Sequence, residues 1–308
     1  MTTAQPSPLA GRRIAVTGAT GFLGRHIASC LAARGAQVVA VVRRPERGAA
    51  LKAAGVELRR ADLLEPEALT EALRGADALV SNAALFSLTN YRWDDYARTN
   101  VQGTENVLHA AARAAVTRVV HVSSVAVYRS SFSGLVDEDA PTWRAEDRRL
   151  PNRVYALSKA LSEESAWRLA GELGLTLTTV RPSGIYGAGD PNISPWLERL
   201  ARWPVTVVPA LLEFPFVYAG DVAEGVVLAL ETPASIGRAY NLAPEGQTVW
   251  SLVKAFREAR GHHPWLTLPF PLPLSRRFSS ERARRELGWR PRDTRAGVAA
   301  MLADEISR

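Results

Sequence analysis

Residues 14–35 read IAVTGATGFLGRHIASCLAARG. A short apolar run passes straight into Gly18, Gly21 and Gly24, and then into an amphipathic helix. Glycine permits a tight turn and lets backbone approach a pyrophosphate closely, while a helix N-terminus offers N–H groups and a partial positive charge. The strand, the glycines and the helix, in that order, imply dinucleotide binding rather than an ordinary turn.

Working outward, short apolar runs at 13–18, 37–43, 56–63, 77–84, 118–124 and 175–182 alternate with helical stretches around 22–34, 66–74, 97–114 and 154–171. The alternation predicts parallel strands wound with crossover helices, an α/β fold with a Rossmann-type doubly wound sheet. Beyond residue 182 the pattern loosens. Residues 183–213 and 244–295 are rich in proline and hold Trp196, Trp203, Trp250, Trp265 and Trp289. Between them, PFVYAGDVAEGVVLALE (215–231) and RAYNLA (238–243) return to the first pattern. The expected division is a dinucleotide-binding domain, 8–182 with 214–243, and a smaller substrate-binding lobe, 183–213 with 244–308.

Composition removes several function classes. At 308 residues and 47% hydrophobic the chain can bury a substantial core. Its net charge of +7 comes from arginines spread along the chain among acids, which argues against a nucleic-acid partner. The N-terminal MTTAQPSPLAGRR lacks the apolar core of a signal peptide and no run approaches a membrane span, so a cytoplasmic protein is expected. The single Cys30 shares a helical face with Leu23, Ile27 and Leu31 and reads as core filler. His262 and His263 follow Gly261 without Cys or acidic partners at ligand spacing, so no metal site is expected.

The second strand ends in VVRRPERG (41–48), where an NAD-selective fold would carry an acid for the ribose hydroxyls. Arg43 and Arg44 stand there instead. Their planar, permanently charged donors suit a 2′-phosphate, which favours NADP(H) and leaves NADH or NAD as the alternative.

VYALSKA (154–160) places Tyr155 and Lys159 four apart, on one helical face. The chain has 35 arginines and only three lysines, Lys52, Lys159 and Lys254, so the lysine points to work that arginine does badly. A tyrosine is a poor base at neutral pH, and a nearby compact cation favours its ionised form.

Together with TGATGFLG (17–24), the stretches ADL (61–63), NVQGTENVLHAA (100–111), HVSSVAVY (121–128), VYALSK (154–159) and RPSGIYGAGD (181–190) resemble the extended short-chain dehydrogenase/reductase family over nearly the whole chain. The resemblance implies that Gly18, Thr20, Gly21, Phe22, Leu23 and Gly24 hold the coenzyme. It also implies that Asp62 and Leu63 border adenine, and that Ala83, Ala84 and Pro182 lie near the cofactor. Tyr155 would exchange the substrate proton, with Lys159 also on the nicotinamide ribose. Ser124 would donate to the substrate oxygen, with Ser123 as the neighbouring candidate, and Asn100 would position the lysine. A homodimer through helices 97–114 and 154–171 is a further implication.

Nucleotide-sugar epimerases and dehydratases of that family carry an arginine and a histidine in the segment matching EFPFVYAGDVAEG (213–225), where this chain has Phe214 and Tyr218. Losing the anion clamp and gaining apolar surface favours the 3β-hydroxysteroid dehydrogenase-like branch and a bulky apolar ketone or alcohol. Arginines of RRFSSERARR (276–285) could still reach a diphosphate, which keeps an epimerase or dehydratase as an alternative. A non-catalytic NADP(H)-sensing regulator is the third reading, and retention of both Tyr155 and Lys159 speaks against it.

Overall fold

Seven strands, β1 (Arg13–Thr17), β2 (Gln37–Val42), β3 (Glu57–Arg60), β4 (Ala78–Ser81), β5 (Arg118–Val122), β6 (Thr176–Pro182) and β7 (Ala239–Leu242), form one parallel sheet. Its order, β3-β2-β1-β4-β5-β6-β7, reverses direction beside β1, the topological switch point at which such sheets bind ligands. The computed structural model describes residues 7–87, 89–129, 134–149, 153–203, 205–209, 212–262, 266–270 and 276–306.

The helices are α1 (Phe22–Ala33), α2 (Pro66–Leu73), α3 (Gly103–Arg113), α4 (Val154–Leu173), α5 (Ile193–Arg202), α6 (Ala219–Glu231), α7 (Val249–Arg260) and α8 (Thr294–Ile306). A short turn of helix at Trp93–Tyr96 and a π-helical stretch at Ala97–Gln102 lead into α3. The α1 and α6 helices cover one sheet face, while α2, α3 and α4 cover the other. The sequence of β2 shows why both faces must be covered. Val38, Ala40 and Val42 enter the first cluster, and Val39 and Val41 enter the second.

A third apolar cluster joins Leu197 of α5, Phe256 of α7, and Val298 and Met301 of α8 to Phe216 and Tyr218. Each such side chain contributes roughly 1.5–3 kcal/mol by leaving water. Phe216–Tyr218 pairs in parallel with Gly184–Tyr186, and Val205–Pro209 with Leu266–Phe270. The tryptophans do not share one role. Trp250 packs on this third cluster, Trp196 is exposed with its ring 6.4 Å from that of Phe216, Trp203 is exposed, and Trp265 lies outside the described residues. Trp289 is buried in the first cluster, its indole N–H donating to Asp221 O at 2.8 Å.

A buried polar chain crosses the far edge of the sheet. Arg181 of β6 forms an ion pair with Glu163 of α4, its Nε lying 3.0 Å from Oε1, and Nη1 donates to the Tyr128 hydroxyl at 2.7 Å. That hydroxyl donates to Asn241 Oδ1 at 2.7 Å, and Asn241 N donates to Glu138 Oε1 at 2.9 Å. Asn241 is paired with Arg181 across β7 and β6.

Candidate active site

Gly18 follows β1 with φ +67°, and a Cβ there would lie 2.8 Å from Ala83 Cα, so the backbone crosses at a distance only glycine permits. A Cβ on Gly24 would fall 2.1 Å from Gly18 O. Helix α1 therefore starts hard against the strand it follows. No side chain caps that helix and no acid occupies its first turn, which leaves its positive end directed at the adjoining space.

That space is a cavity of about 1200 Å³ across the carboxyl ends of β1, β2, β4, β5 and β6. Gly18, Thr20, Gly21, Phe22, Leu23 and Gly24 line one part of it, with Arg43, Arg44, Asp62, Leu63, Ala83, Ala84 and Pro182. The Asp62 carboxylate lies 3.9 Å from Arg43 Nε, and its Oδ1 accepts from Leu64 N. Ser183, next to Pro182, lines the same cavity with a buried hydroxyl that finds no hydrogen-bond partner among the described residues. The glycine cradle, the bare helix end and this waiting hydroxyl fit a nicotinamide dinucleotide.

Ser124, Tyr155 and Lys159 line the middle of the cavity. Lys159 is buried, and its Nζ donates to Val122 O at 2.8 Å, tying α4 to the end of β5 where the serines begin. Burial pushes its ammonium down to about 8, against the opposing charge of Glu163. The sequence leads one to expect this cation to favour the Tyr155 phenolate. Instead burial dominates and pushes the Tyr155 phenol up to about 12, opposed by a hydrogen bond from Ser124. The ring packs edge-on to Phe86 and Tyr96, with centroids 4.8 and 6.3 Å away. The Ser123 hydroxyl is buried and has no hydrogen-bond partner among the described residues, and it is the Ser124 hydroxyl that holds the phenol down, so Ser124 is the serine beside the phenol.

Asn100 stands apart from these. It is buried in the π-helical stretch, accepts from Leu85 N at 2.6 Å, and donates to Leu85 O and to Ser158 Oγ at 2.9 Å. It thus ties the loop after β4 to the residue preceding Lys159.

Much of the remaining wall is apolar, with Phe86, Ile185, Trp196, Phe214, Phe216 and Phe278, and Arg98, Asp190 and Asn192 are among its polar members. Phe214 lines this wall, its ring 5.1 Å from that of Phe216. Tyr218 does not. Its ring is buried against Tyr186 and His26, and its hydroxyl donates to Asp304 of α8. Sequence reasoning did not single out Arg47 or Ser183, which line the cavity, and of the quoted RRFSSERARR arginines Arg276 lines it. Arg47 belongs to the quoted VVRRPERG, and a three-arginine reading of that loop would have included it. Of the histidine pair, His263 lies outside the described residues.

Among the described residues there is no group of three His, Cys, Asp or Glu that could hold a metal, and no helix long and apolar enough to cross a membrane. Cys30 donates to Glu224 and, desolvated, has its thiol pushed up to about 12, which removes it as a nucleophile.

Residues 14–243 match the model of the NAD dependent epimerase/dehydratase family. Sterol demethylase protein B of Methylococcus capsulatus is 31% identical, over 94% of this chain and 96% of its own. A 4-hydroxy-2-methyl-3-oxo-4-farnesyl-3,4-dihydroquinoline-1-oxide ketoreductase of Stigmatella aurantiaca is 36% identical over 71% of this chain, which spans 64% of that protein. Among solved structures, gox2253 superposes with a TM-score of 0.79 at 29% identity, covering 95% of this chain and 97% of its own. A UDP-glucuronic acid 4-epimerase from Bacillus cereus in complex with NAD reaches 0.79 at 22% identity, over 96% and 98%, a likeness of fold. With the glycine turn, the switch-point cavity and the tyrosine–lysine helix in place, the chain belongs to the NAD dependent epimerase/dehydratase family, as an NAD(P)-dependent enzyme of the extended short-chain dehydrogenase/reductase type.

Proposed function

We propose that the protein is an NADP(H)-dependent oxidoreductase that interconverts a ketone or aldehyde and its alcohol on a bulky, largely apolar substrate. One observation carries this reading: Tyr155 and Ser124 sit where the glycine-lined and aromatic-lined parts of a single cavity meet. The bound nicotinamide supplies or accepts the hydride. Tyr155 gives or takes the proton at its phenol oxygen, and at neutral pH a phenol pushed up to about 12 holds that proton ready for a ketone. Ser124 donates to the substrate oxygen as negative charge develops on it. Lys159, fixed by the Val122 carbonyl, presents its charge from beneath, and Asn100 holds the start of α4 against the loop after β4.

Arg43 and Arg44, with Arg47 beside them, would grip a 2′-phosphate, which supports NADP(H). The two relatives named above as acting on a sterol and on a farnesylated quinoline ketone carry names consistent with apolar substrates. Segments 183–213 and 244–308 serve as the substrate lobe, and two chains pair through helices 97–114 and 154–171.

A screen of NADPH consumption against steroids, long-chain ketones, aldehydes and sugar nucleotides tests the reading. Turnover of an apolar carbonyl compound is expected. Micromolar binding of UDP, dTDP or GDP outside the coenzyme pocket, seen by calorimetry, overturns it. Light scattering at micromolar concentration is expected to give twice the chain mass, and a monomer removes the dimer.

A further inference from the structure

Of the eleven exposed large apolar side chains among the described residues, six fall in two short segments: Trp196, Trp203 and Val207 in one, Leu266, Leu268 and Phe270 in the other, all 42–60% exposed. Single exposed apolar residues need no explanation, whereas a contiguous group marks a surface that meets something. Leu266, Leu268 and Phe270 alternate along their strand, and Leu268 lies opposite Val207 in the parallel pair, so these four side chains share one face of the two-stranded ribbon. Helix α5 ends at Arg202, just before the ribbon begins at Val205. On α5, Trp196 and Arg199 lie opposite the buried Ser194, Leu197 and Ala201, and Arg202 and the cap residue Trp203 continue that stripe toward the ribbon. Arg199 and Arg202 are exposed, and neither meets a carboxylate among the described residues, since the neighbouring Glu198 is taken by Arg260, which also holds Glu305.

We propose that the outer stripe of α5 and the apolar face of the ribbon form a docking face for an anionic lipid surface. Tryptophan rings and arginine side chains, each with an apolar body and a polar tip, suit the headgroup boundary, while leucine and phenylalanine suit the acyl layer beneath it. Arg199 and Arg202 select the sign of the lipid charge, and the net charge of +7 acts in the same direction. A second copy of the chain, docked face to face, would set the arginines of both copies against one another. Among the described residues no helix is long and apolar enough to cross a membrane, so the contact is peripheral. Trp196 belongs both to this stripe and to the wall of the cavity, which places the aromatic end of the cavity beside the lipid. The inference goes beyond the function proposed above and does not require it, although an apolar substrate gives such docking a use, because it dissolves in the surface on which the protein sits.

The test is cosedimentation of the full chain with vesicles of phosphatidylcholine alone and of phosphatidylcholine containing about a quarter phosphatidylglycerol, with no substrate present. Wild type is expected to bind the anionic vesicles about tenfold or more tightly than the neutral ones, and to lose most of that preference in about 0.5 M salt. The pair Arg199→Gln and Arg202→Gln should cost about tenfold in affinity for the anionic vesicles, and the pair Leu268→Ser and Phe270→Ser a similar factor. Thermal melting followed by circular dichroism shows that each variant is folded. Lipids brominated on their acyl chains supply a second readout on the wild type: they should quench part of the tryptophan fluorescence, and Trp203→Phe should reduce the quenched fraction. Equal binding to both kinds of vesicle, or no quenching, overturns the inference without any variant. Loss of binding in the arginine pair with none in the Leu268 and Phe270 pair overturns it as well, because net charge alone would do that. Light scattering in which the Leu268 and Phe270 pair turns a dimer into a monomer assigns the face to a second copy instead. Failure of the vesicle assay leaves the proposed function standing, whereas a protein that binds vesicles in this way and reduces no ketone defeats that function alone.

Discussion

The two ends of the cavity are built differently. The coenzyme end centres on backbone, the glycine turn and helix start of residues 17–24, which strand ends and side chains as distant in sequence as Pro182 complete. The other end is made of side chains, with Phe86, Trp196, Phe214, Arg276 and Phe278 arriving from segments scattered over almost two hundred residues. A backbone-built site tolerates little change and serves one ligand. A side-chain-built site can change specificity one residue at a time while the sheet stays as it is.

The sharpest way to break this comparison lies at the junction. Tyr155→Phe removes only the transferable proton, and kcat for an established ketone should fall by about 10²–10⁴ while coenzyme affinity, measured by fluorescence titration, stays nearly constant. Near-full activity would remove Tyr155 from the chemistry. At the coenzyme end, replacing Arg43 and Arg44 together by alanine should weaken NADPH binding by about 2–3 kcal/mol and NADH binding little, because charge-assisted bonds to a phosphate exist only for the former. Equal losses for both coenzymes would show the loop to be an ordinary solvated arginine surface. At the side-chain end, Trp196→Ala or Phe214→Ala should raise KM for apolar substrates by about 1–2 kcal/mol with little change in kcat, at roughly 25 cal/mol per Å² of lost contact. A fall in kcat with unchanged KM would mean that these rings position rather than bind.

A further expectation concerns the floor shared by both ends. His121 of β5 lies buried between Ser81 Oγ at 3.3 Å and Ser162 Oγ at 3.5 Å, and burial, with Lys159 nearby, pushes its imidazole down to about 3. The unfolded chain takes up a proton near 6.5 and the folded chain does not, so this contribution is complete above about pH 6.5 and is lost as the pH falls toward the folded value. An NMR titration should find the His121 ring neutral at pH 5. A midpoint near 6.5 would mean that the floor is wet.

Most of the sheet was legible because its signals are local. The helices expected around 22–34, 66–74 and 154–171 are Phe22–Ala33, Pro66–Leu73 and Val154–Leu173. The stretch 97–114 divides into a π-helical entry and an α-helix at a point that no periodicity marks. At the site, the glycines and the Tyr155–Lys159 spacing could be read directly, since each depends on neighbours a turn away. Tyr218 could not: its hydroxyl is drawn to Asp304, a partner 86 residues on that arrives only when α8 docks. The cation expected to acidify Tyr155 is likewise held by a strand-end carbonyl, and the desolvation that overrules it is a property of the whole fold.

The Arg181–Tyr128–Asn241–Glu138 chain also selects how the last strand is threaded. Ala239, Tyr240 and Leu242 of β7 could slide by two residues along β6 and still bury themselves, but Asn241 has one place where its amide meets the Tyr128 hydroxyl and its N–H meets Glu138. A slip of one residue would turn Asn241 to the opposite face and strand three buried polar groups together. The outermost strand, which gains least from neighbours, is thus keyed by polarity.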